Sequence, residues 1–302
     1  MEEETLLQYA PMVDIIIGWR PSVELLHSAK NLSLFINPGA GVQHLIERFR
    51  ELNKTRSVTL VNGHGNSYFT AQHAVALLLA LTNKVIPHHN WMSDGQWRKG
   101  DRDAISIPLR HRKVGLLGYG AVNQKVHRFL SGFDVEFAVL RRKWGTLKES
   151  LPTHIEMFSL DQLHRFLNWI DTIIIAVPLT EMTKGLIGIE ELKLLGSKGL
   201  LVHLGRGDVI DEGSLYIACR DRMISGAAID VWYDYTPSPN DTGLKYPYHF
   251  PFHTLENVVL SPHRAASPFN DLERWDEVID NIERFVTGRK QYRNVVVLEN
   301  EY

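Results

Sequence analysis

The chain has 302 residues, 44% hydrophobic and 23% charged, about two globular domains at ~150 residues each, and this excludes a disordered or collagen-like chain. Lys and Arg total 33 against 35 Asp and Glu, so no basic excess marks a partner of nucleic acid. A single cysteine, Cys219, excludes an internal disulfide framework and a thiolate-rich metal site.

The acidic start, MEEETLLQYAPM, does not read as a signal peptide. Short apolar runs follow at Val13–Gly18, Leu32–Ile36 and Val58–Val61, a weak α/β rhythm. Ala71 to Val85 reads as a long apolar helix, unbroken by Gly or Pro before Pro87. Within it Ala74 to Leu81, the longest apolar stretch, is far short of the ~20 residues that span a bilayer. No membrane partner is expected, and a cytoplasmic location is the default. The polar stretch from His88 to Asp103, with Trp91 and Trp97, reads as an arm or connector. His88 and His89 are adjacent, and adjacent side chains diverge on a helix, so no metal site is expected there.

A stronger rhythm follows. Apolar runs at Lys113–Leu117, Val135–Leu140, Thr172–Val177, Gly199–Leu204, Gly226–Val231 and Asn257–Leu260 alternate with helix-length segments. Continuous β-branched runs suit parallel strands buried on both faces, so a doubly wound, Rossmann-type parallel sheet is expected. Asp271 to Gly288 has Trp275, Val278, Ile279, Ile282 and Phe285 at helical spacing and reads as an amphipathic helix returning to the first domain. The expected division is therefore a central domain over 108–266 and a smaller, flavodoxin-like α/β outer domain from both chain ends, 1–107 and 267–302.

Between the first two central runs lies Gly118-Tyr119-Gly120-Ala121-Val122-Asn123. Gly118 allows a tight turn, and Gly120 lets backbone approach a pyrophosphate at the start of a helix. Asn123 stands where the fingerprint has its third glycine and is expected to loosen helix–strand packing. A lone Gly-x-Gly is equally consistent with a structural turn; the strand–turn–helix context favours a dinucleotide. The next strand ends in Arg141-Arg142-Lys143, about 20 positions on, where an acidic residue would bind the ribose of NAD. Two guanidiniums there suit a 2′-phosphate, so NADP is expected in preference to NAD. The alternative is a solvated basic turn.

Four further segments follow in order: Val177-Pro178-Leu179-Thr180 through Thr183 to Ile187, Leu204-Gly205-Arg206-Gly207-Asp208, Gly226 to Trp232 with Asp230, and Ser261-Pro262-His263-Arg264. With the glycine loop, they resemble the D-isomer-specific 2-hydroxyacid dehydrogenases, a family that includes glyoxylate/hydroxypyruvate reductases, phosphoglycerate dehydrogenase, formate dehydrogenase and phosphite dehydrogenase. The resemblance covers nearly the whole chain. It implies that Val177, Pro178, Thr183 and Asp230 contact the cofactor, with Asp230 at the nicotinamide carboxamide. It further implies that Arg206 binds and polarises a small 2-oxoacid and that His263 is the acid/base. Hydride transfer to a carbonyl leaves charge on oxygen, which suits a histidine donor, and a carboxylate suits a planar guanidinium. Asn37 through Ala40, Gly41 and Val42 resemble the substrate loop, Asn66 precedes the interdomain helix, and relatives pair through the arm as homodimers. The chain starts close to what resembles the family's second strand, so the outer domain is expected to lack the usual first strand.

One departure bears on chemistry. The family carries a glutamate, partner of the catalytic histidine, where this chain has Tyr235 preceded by Asp234. Asp234 either replaces the carboxylate through a one-residue loop shift or is a surface residue. His203 stands where the family has asparagine. Three functions remain open: an NADPH-dependent 2-oxoacid reductase, a dehydrogenase of a small anion such as formate or phosphite working without the His–Glu pair, and a dinucleotide-sensing binding protein.

Overall fold

The computed structural model describes residues 3–145, 150–266, 273–289 and 291–302, which divide into two compact units. The first unit runs to Asn66 and resumes with the last helix; the second begins at Ser67.

In the first unit, α1 (Glu3–Tyr9) precedes β1 (Ile15–Ile17), α2 (Val23–Ser28), β2 (Leu34–Asn37), α3 (Ile46–Leu52) and β3 (Thr59–Asn62). The strands form a parallel sheet in the order β1-β2-β3. Ser22 starts α2 by accepting the Leu25 N–H at 3.0 Å, a side-chain N-cap. The central strand is buried on both faces. Phe35 joins Phe49 and Leu45 on one side, and Leu34 and Ile36 meet Val278 of the last helix, Glu273–Val286, on the other. Of the five apolar positions expected on that helix, Trp275, Val278, Ile282 and Phe285 pack, while Ile279 faces solvent. Residues 271 and 272, where the expected helix begins, lie outside the described residues.

The second unit opens with α4 (Ser67–Thr82), α5 (Val85–Ser93) and α6 (Gly100–Asp103). Then come β4 (Lys113–Leu117), α7 (Ala121–Leu130), β5 (Glu136–Leu140), β6 (Ile155–Phe158), α8 (Leu163–Trp169) and β7 (Thr172–Ile175). The unit continues through α9 (Ile189–Leu195), β8 (Leu200–His203), α10 (Glu212–Arg220), β9 (Gly226–Ile229) and β10 (Val258–Leu260). Its seven strands are parallel, in the order β10-β9-β8-β7-β4-β5-β6. The order reverses between β4 and β7, so a crevice opens at the carboxyl ends of that pair.

The expected alternation and all six of the expected central runs match strands closely, but three features differ. The division falls before Ser67 rather than at 107/108, because Ala71, Ala74, Leu78 and Leu81 of α4 are buried in one cluster with Val114, Leu116 and Val126. The long helix starts earlier than Ala71 and breaks at Lys84, whose φ is +54°, with α5 bent 63° away. Pro87 therefore sits in the first turn of α5, where its missing N–H costs nothing. Strand β6 was not expected. It is a four-residue edge strand with Glu156 and Met157 exposed, too short and polar to show a β pattern. Of the arm tryptophans only Trp97 is well exposed; Trp91 is half-buried, packed edge-on to His88. Among the described residues, no single helix is long and apolar enough to cross a membrane.

Two fully buried histidines are neutral in the fold. His127 on α7 lies between the Tyr119 hydroxyl at 2.7 Å and the Thr153 hydroxyl at 2.8 Å, and burial pushes its pKa down to about 4. His203 at the end of β8 is also pushed down to about 4 by burial. Its Nε2–H donates to the Arg206 carbonyl at 2.9 Å, while Nδ1 is buried with no hydrogen-bond partner. Protonation would place an N–H in the core facing no acceptor. Between the ordinary value of 6.5 and about 4, the unfolded chain binds more protons than the fold. Stability is thus complete above pH 6.5 and lost as pH falls through this window, with His203 contributing a slope of about 1.4 kcal/mol per pH unit. Urea unfolding between pH 7.5 and 4.5 should show this decline, and His203→Asn should flatten it whatever its effect at neutral pH. An unchanged slope would remove His203 from the account.

Candidate active site

Every motif in the second unit lies just past the carboxyl end of a strand. Gly118, after β4, has φ +83°, and a Cβ there would lie 2.7 Å from Val177 Cγ1. Its N–H donates to Leu140 of β5. Glycine is required on both counts, for the left-handed backbone and for the approach to the loop after β7. Gly120 differs: a Cβ there would meet nothing within 4 Å, so open space lies over the start of α7. That helix has no side-chain cap, and Ala121 and Val122 form its first turn, where backbone N–H groups are not used within the helix. A glycine-edged cradle with free space and uncapped N–H groups fits a pyrophosphate. Asn123 is fully buried and does not loosen the packing. Its amide donates to the carbonyls of Leu117 (3.2 Å), Gly118 (2.7 Å) and Ile174 (3.3 Å), tying α7 to β4 and β7 across the gap a third glycine would close.

After β5, the Arg141 guanidinium lies over Trp144, 5.6 Å from the ring centroid, and Arg142 is exposed. After β7, Val177 and Pro178 open a turn closed by Thr183, whose hydroxyl donates to the Pro178 carbonyl at 2.7 Å and accepts the Thr180 N–H at 2.9 Å.

The turn after β8 is confined from both sides. A Cβ on Gly205 would lie 2.7 Å from the Val177 carbonyl oxygen, and one on Gly207 would lie 2.3 Å from that of Trp232. Only glycines allow this approach, and the side chain between them, Arg206, is half-buried with one guanidinium N–H on the Gly205 carbonyl at 2.7 Å. His203 holds the same turn from beneath through the Arg206 carbonyl.

Asp230, after β9, is 2% exposed. Its Oδ1 accepts the Ser261 hydroxyl and the Arg264 N–H (2.8 Å), and its Oδ2 accepts the Ala265 N–H (3.1 Å). His73 of α4 reaches Ser261 Oγ at 2.9 Å and lies 3.6 Å from Asp230. The Trp232 indole donates to the Ser261 carbonyl at 2.8 Å. These bonds clamp the loop in which His263 takes φ +56°, a left-handed conformation unfavourable for a residue with a side chain. His73 and Ser261 belong to this network; Ser261 opens the Ser261-Pro262-His263 segment, but nothing in the sequence links it to Asp230 or to His73.

The partner of His263 is Tyr235. Its hydroxyl lies 2.6 Å from Nδ1, the rings meet edge-on at 5.2 Å, and the Trp232 N–H points at the same hydroxyl oxygen from 3.3 Å. Asp234 does not take the carboxylate's place: it accepts the Thr236 N–H at 2.8 Å, and its own N–H is bound to Pro247. Burial lowers the His263 pKa, the Arg206 cation lowers it further, and Asp230 opposes both.

The first unit carries Ala40, Gly41, Val42 and Asn66. The buried Asn37 amide donates to the carbonyls of Gly39 and Gly41, Asn62 donates to that of Ala40 at 2.9 Å, and the Gly63 N–H donates to that of Gly39. With three successive carbonyls bound to the unit's own amides, planar trans peptides turn the N–H groups of Ala40, Gly41 and Val42 the opposite way. Among the described residues none of the three donates to a backbone carbonyl. Asn66 is half-buried and immediately precedes α4.

The profile of the D-isomer specific 2-hydroxyacid dehydrogenase NAD binding domain matches residues 75–265. The D-3-phosphoglycerate dehydrogenase of Archaeoglobus fulgidus is 30% identical over 88% of this chain, which spans only 48% of that relative's length. The glyoxylate reductase of Pyrococcus furiosus is 29% identical over 91% of this chain and 80% of its own. A crystal structure of the NADPH-dependent glyoxylate/hydroxypyruvate reductase of Sinorhizobium meliloti, with NADP and malonate, superposes with a TM-score of 0.73 at 25% identity, covering 96% of this chain and 88% of that one. The sheet order, the strand-end motifs and these matches agree: the chain belongs to the D-isomer specific 2-hydroxyacid dehydrogenase family of oxidoreductases.

Proposed function

We propose that the protein is an NADPH-dependent reductase of small 2-oxoacids such as glyoxylate or hydroxypyruvate. The observation that carries this reading is the junction after β8, β9 and β10, where Arg206, Asp230 and the Tyr235–His263 pair are held by backbone contacts. The dinucleotide supplies the hydride when bound. Gly118, Gly120 and the start of α7 hold its pyrophosphate. Asp230, whose oxygens accept from Ser261, Arg264 and Ala265, would offer its remaining acceptor capacity to the carboxamide. The Arg206 guanidinium binds the substrate carboxylate and polarises the carbonyl, and His263 delivers the proton to oxygen. A scan of NADPH oxidation across small 2-oxoacids, with formate and phosphite oxidation run in parallel, tests the class. Turnover of formate or phosphite alone would replace the reading with one that needs no proton donor, and no turnover would favour a binding protein.

Arg206→Ala should abolish turnover and leave cofactor binding nearly intact, because a charge-assisted pair in a desolvated site acts mainly on developing charge. Retained kcat with a raised KM would make Arg206 a uniform binder.

NADP(H) is preferred through Arg141 and Arg142. Charge-assisted bonds of about 1.5–3 kcal/mol each correspond to roughly 10–10² in affinity per arginine. Arg141→Ala and Arg142→Ala should each weaken NADPH by that factor and NADH far less, as read by cofactor titration; equal losses for both would refute the assignment.

The protein pairs with a second copy through the arm, where Val85, Ile86, Met92, Trp97 and Ile105 expose apolar surface, Trp97 at 74%. Light scattering at micromolar concentration should return twice the chain mass, and a monomer would reject this.

A further inference from the structure

We infer that Tyr235 is a positioning residue whose hydroxyl donates to His263 Nδ1, holding the resting imidazole in the neutral tautomer that presents Nε2–H to the substrate oxygen. The inference rests on the reading of this site as a 2-oxoacid reductase. It begins from hydrogen-bond counting. A tyrosine hydroxyl has one proton to give and lone pairs to accept with. The Trp232 N–H approaches the Tyr235 oxygen, so one lone pair is occupied. A second lone pair stays available, so the direction is assigned from the proton: the acceptor within its reach is His263 Nδ1, 2.6 Å away, and in the neutral resting ring we place the hydroxyl proton there. Desolvation around its hydroxyl holds the Tyr235 pKa above its ordinary value although the residue as a whole is half exposed, so the proton is not lost at working pH. With Nδ1 accepting, the ring proton of the neutral imidazole sits on Nε2.

A carboxylate in the same place would accept from Nδ1–H and stabilise the imidazolium by charge. A hydroxyl adds no charge. The other charged groups that act on the pair are Arg206, from the turn after β8, and Asp230, after β9, with Asp208 acting on Tyr235. Arg206 opposes a second cation, and the Asp230 carboxylate is already engaged by three donors. The resting state is therefore a neutral donor, and the protonated acid is populated only on the acidic side.

The hydroxyl also follows the ring through turnover. In reduction, the hydride and its electron pair form the new C–H bond at the carbonyl carbon. The C=O π pair becomes a lone pair on oxygen, and the Nε2 proton of the imidazolium goes to that oxygen. The ring is left with its proton on Nδ1 and a lone pair on Nε2. The Tyr235 oxygen then accepts from Nδ1–H with its own proton turned aside, and protonation of Nε2 by solvent returns the acid. Rotation about one C–O bond serves both states.

The test reads the ring directly. Protein labelled with ¹⁵N-histidine is titrated by NMR, with His263 assigned by its loss in His263→Gln. In the wild type, Nδ1 should appear as a hydrogen-bonded, unprotonated nitrogen and Nε2 as the protonated one, with a midpoint below the ordinary 6.5. Tyr235→Phe should give a mixture of the two tautomers and a roughly ten-fold loss in kcat with little change in KM, the size of one lost hydrogen bond. Tyr235→Glu should raise the midpoint by about one unit or more and carry the falling limb of the reduction rate with it. A wild-type ring protonated on Nδ1 in its neutral form, or a Tyr235→Glu midpoint that does not rise, would overturn the inference, and the wild-type spectrum decides even if a variant fails to fold. If the spectra agree but no 2-oxoacid is reduced, the reductase reading fails and the assignment of the tautomer stands.

Discussion

The geometry of the site depends on one buried carboxylate. Asp230 ends β9 almost fully out of water, and its charge is offset chiefly by donors rather than by a close cation: one hydroxyl and two backbone N–H groups from the segment after β10, with His73 further off. Removing an ionised carboxylate from solvent costs several kcal/mol unless its oxygens are hydrogen-bonded, so the loop must close around it. That closure sets the backbone of residues 261–265 and thereby the left-handed turn at His263. A histidine on an unclamped loop would relax to an ordinary conformation and aim elsewhere.

The same logic governs Arg206. Its position follows from two glycines pressed against the carbonyls of Val177 and Trp232, with His203 binding the turn from within. Two histidines near one arginine thus take opposite parts. His203 is sealed, neutral and concerned with backbone, and its Nδ1 lone pair has no hydrogen-bond donor to accept from. His263 is half-buried, with its Nδ1 on the Tyr235 hydroxyl.

Much of this was legible in the chain. Runs such as Thr172–Ile175 and Leu200–His203 are β-branched or leucine-rich because both sheet faces are covered, and burial leaves that mark in composition. The glycines of the turns were legible because close backbone approach excludes every other residue. What sequence could not show depends on partners distant in the chain. Asn123 reads as a flaw in the fingerprint until its amide is seen to bridge three carbonyls. His73 lies on an apolar helix, and only folding brings it to Ser261. Tyr235 and Asp234 are neighbours in sequence, and choosing between them required the loop geometry, which turns Asp234 onto Thr236 and the tyrosine onto His263. The break at Lys84 was hidden because its nearby marker, Pro87, lies three residues further on, inside the first turn of α5.

On the proposed reading of Arg206 as the substrate's ligand and His263 as its proton donor, the charges of the site also couple substrate to proton. The Arg206 cation makes protonation of His263 harder while the site is empty of anions. A 2-oxoacid docked on Arg206 brings a carboxylate that cancels part of this repulsion, and in a desolvated pocket such interactions weigh more than in water. On that reading, binding the substrate raises the proton affinity of the group proposed to protonate it. A permanent glutamate beside His263 would supply that affinity whether or not substrate is present. A tyrosine leaves it to be supplied by the substrate, so the acid is charged chiefly when there is an anion on Arg206 for it to serve.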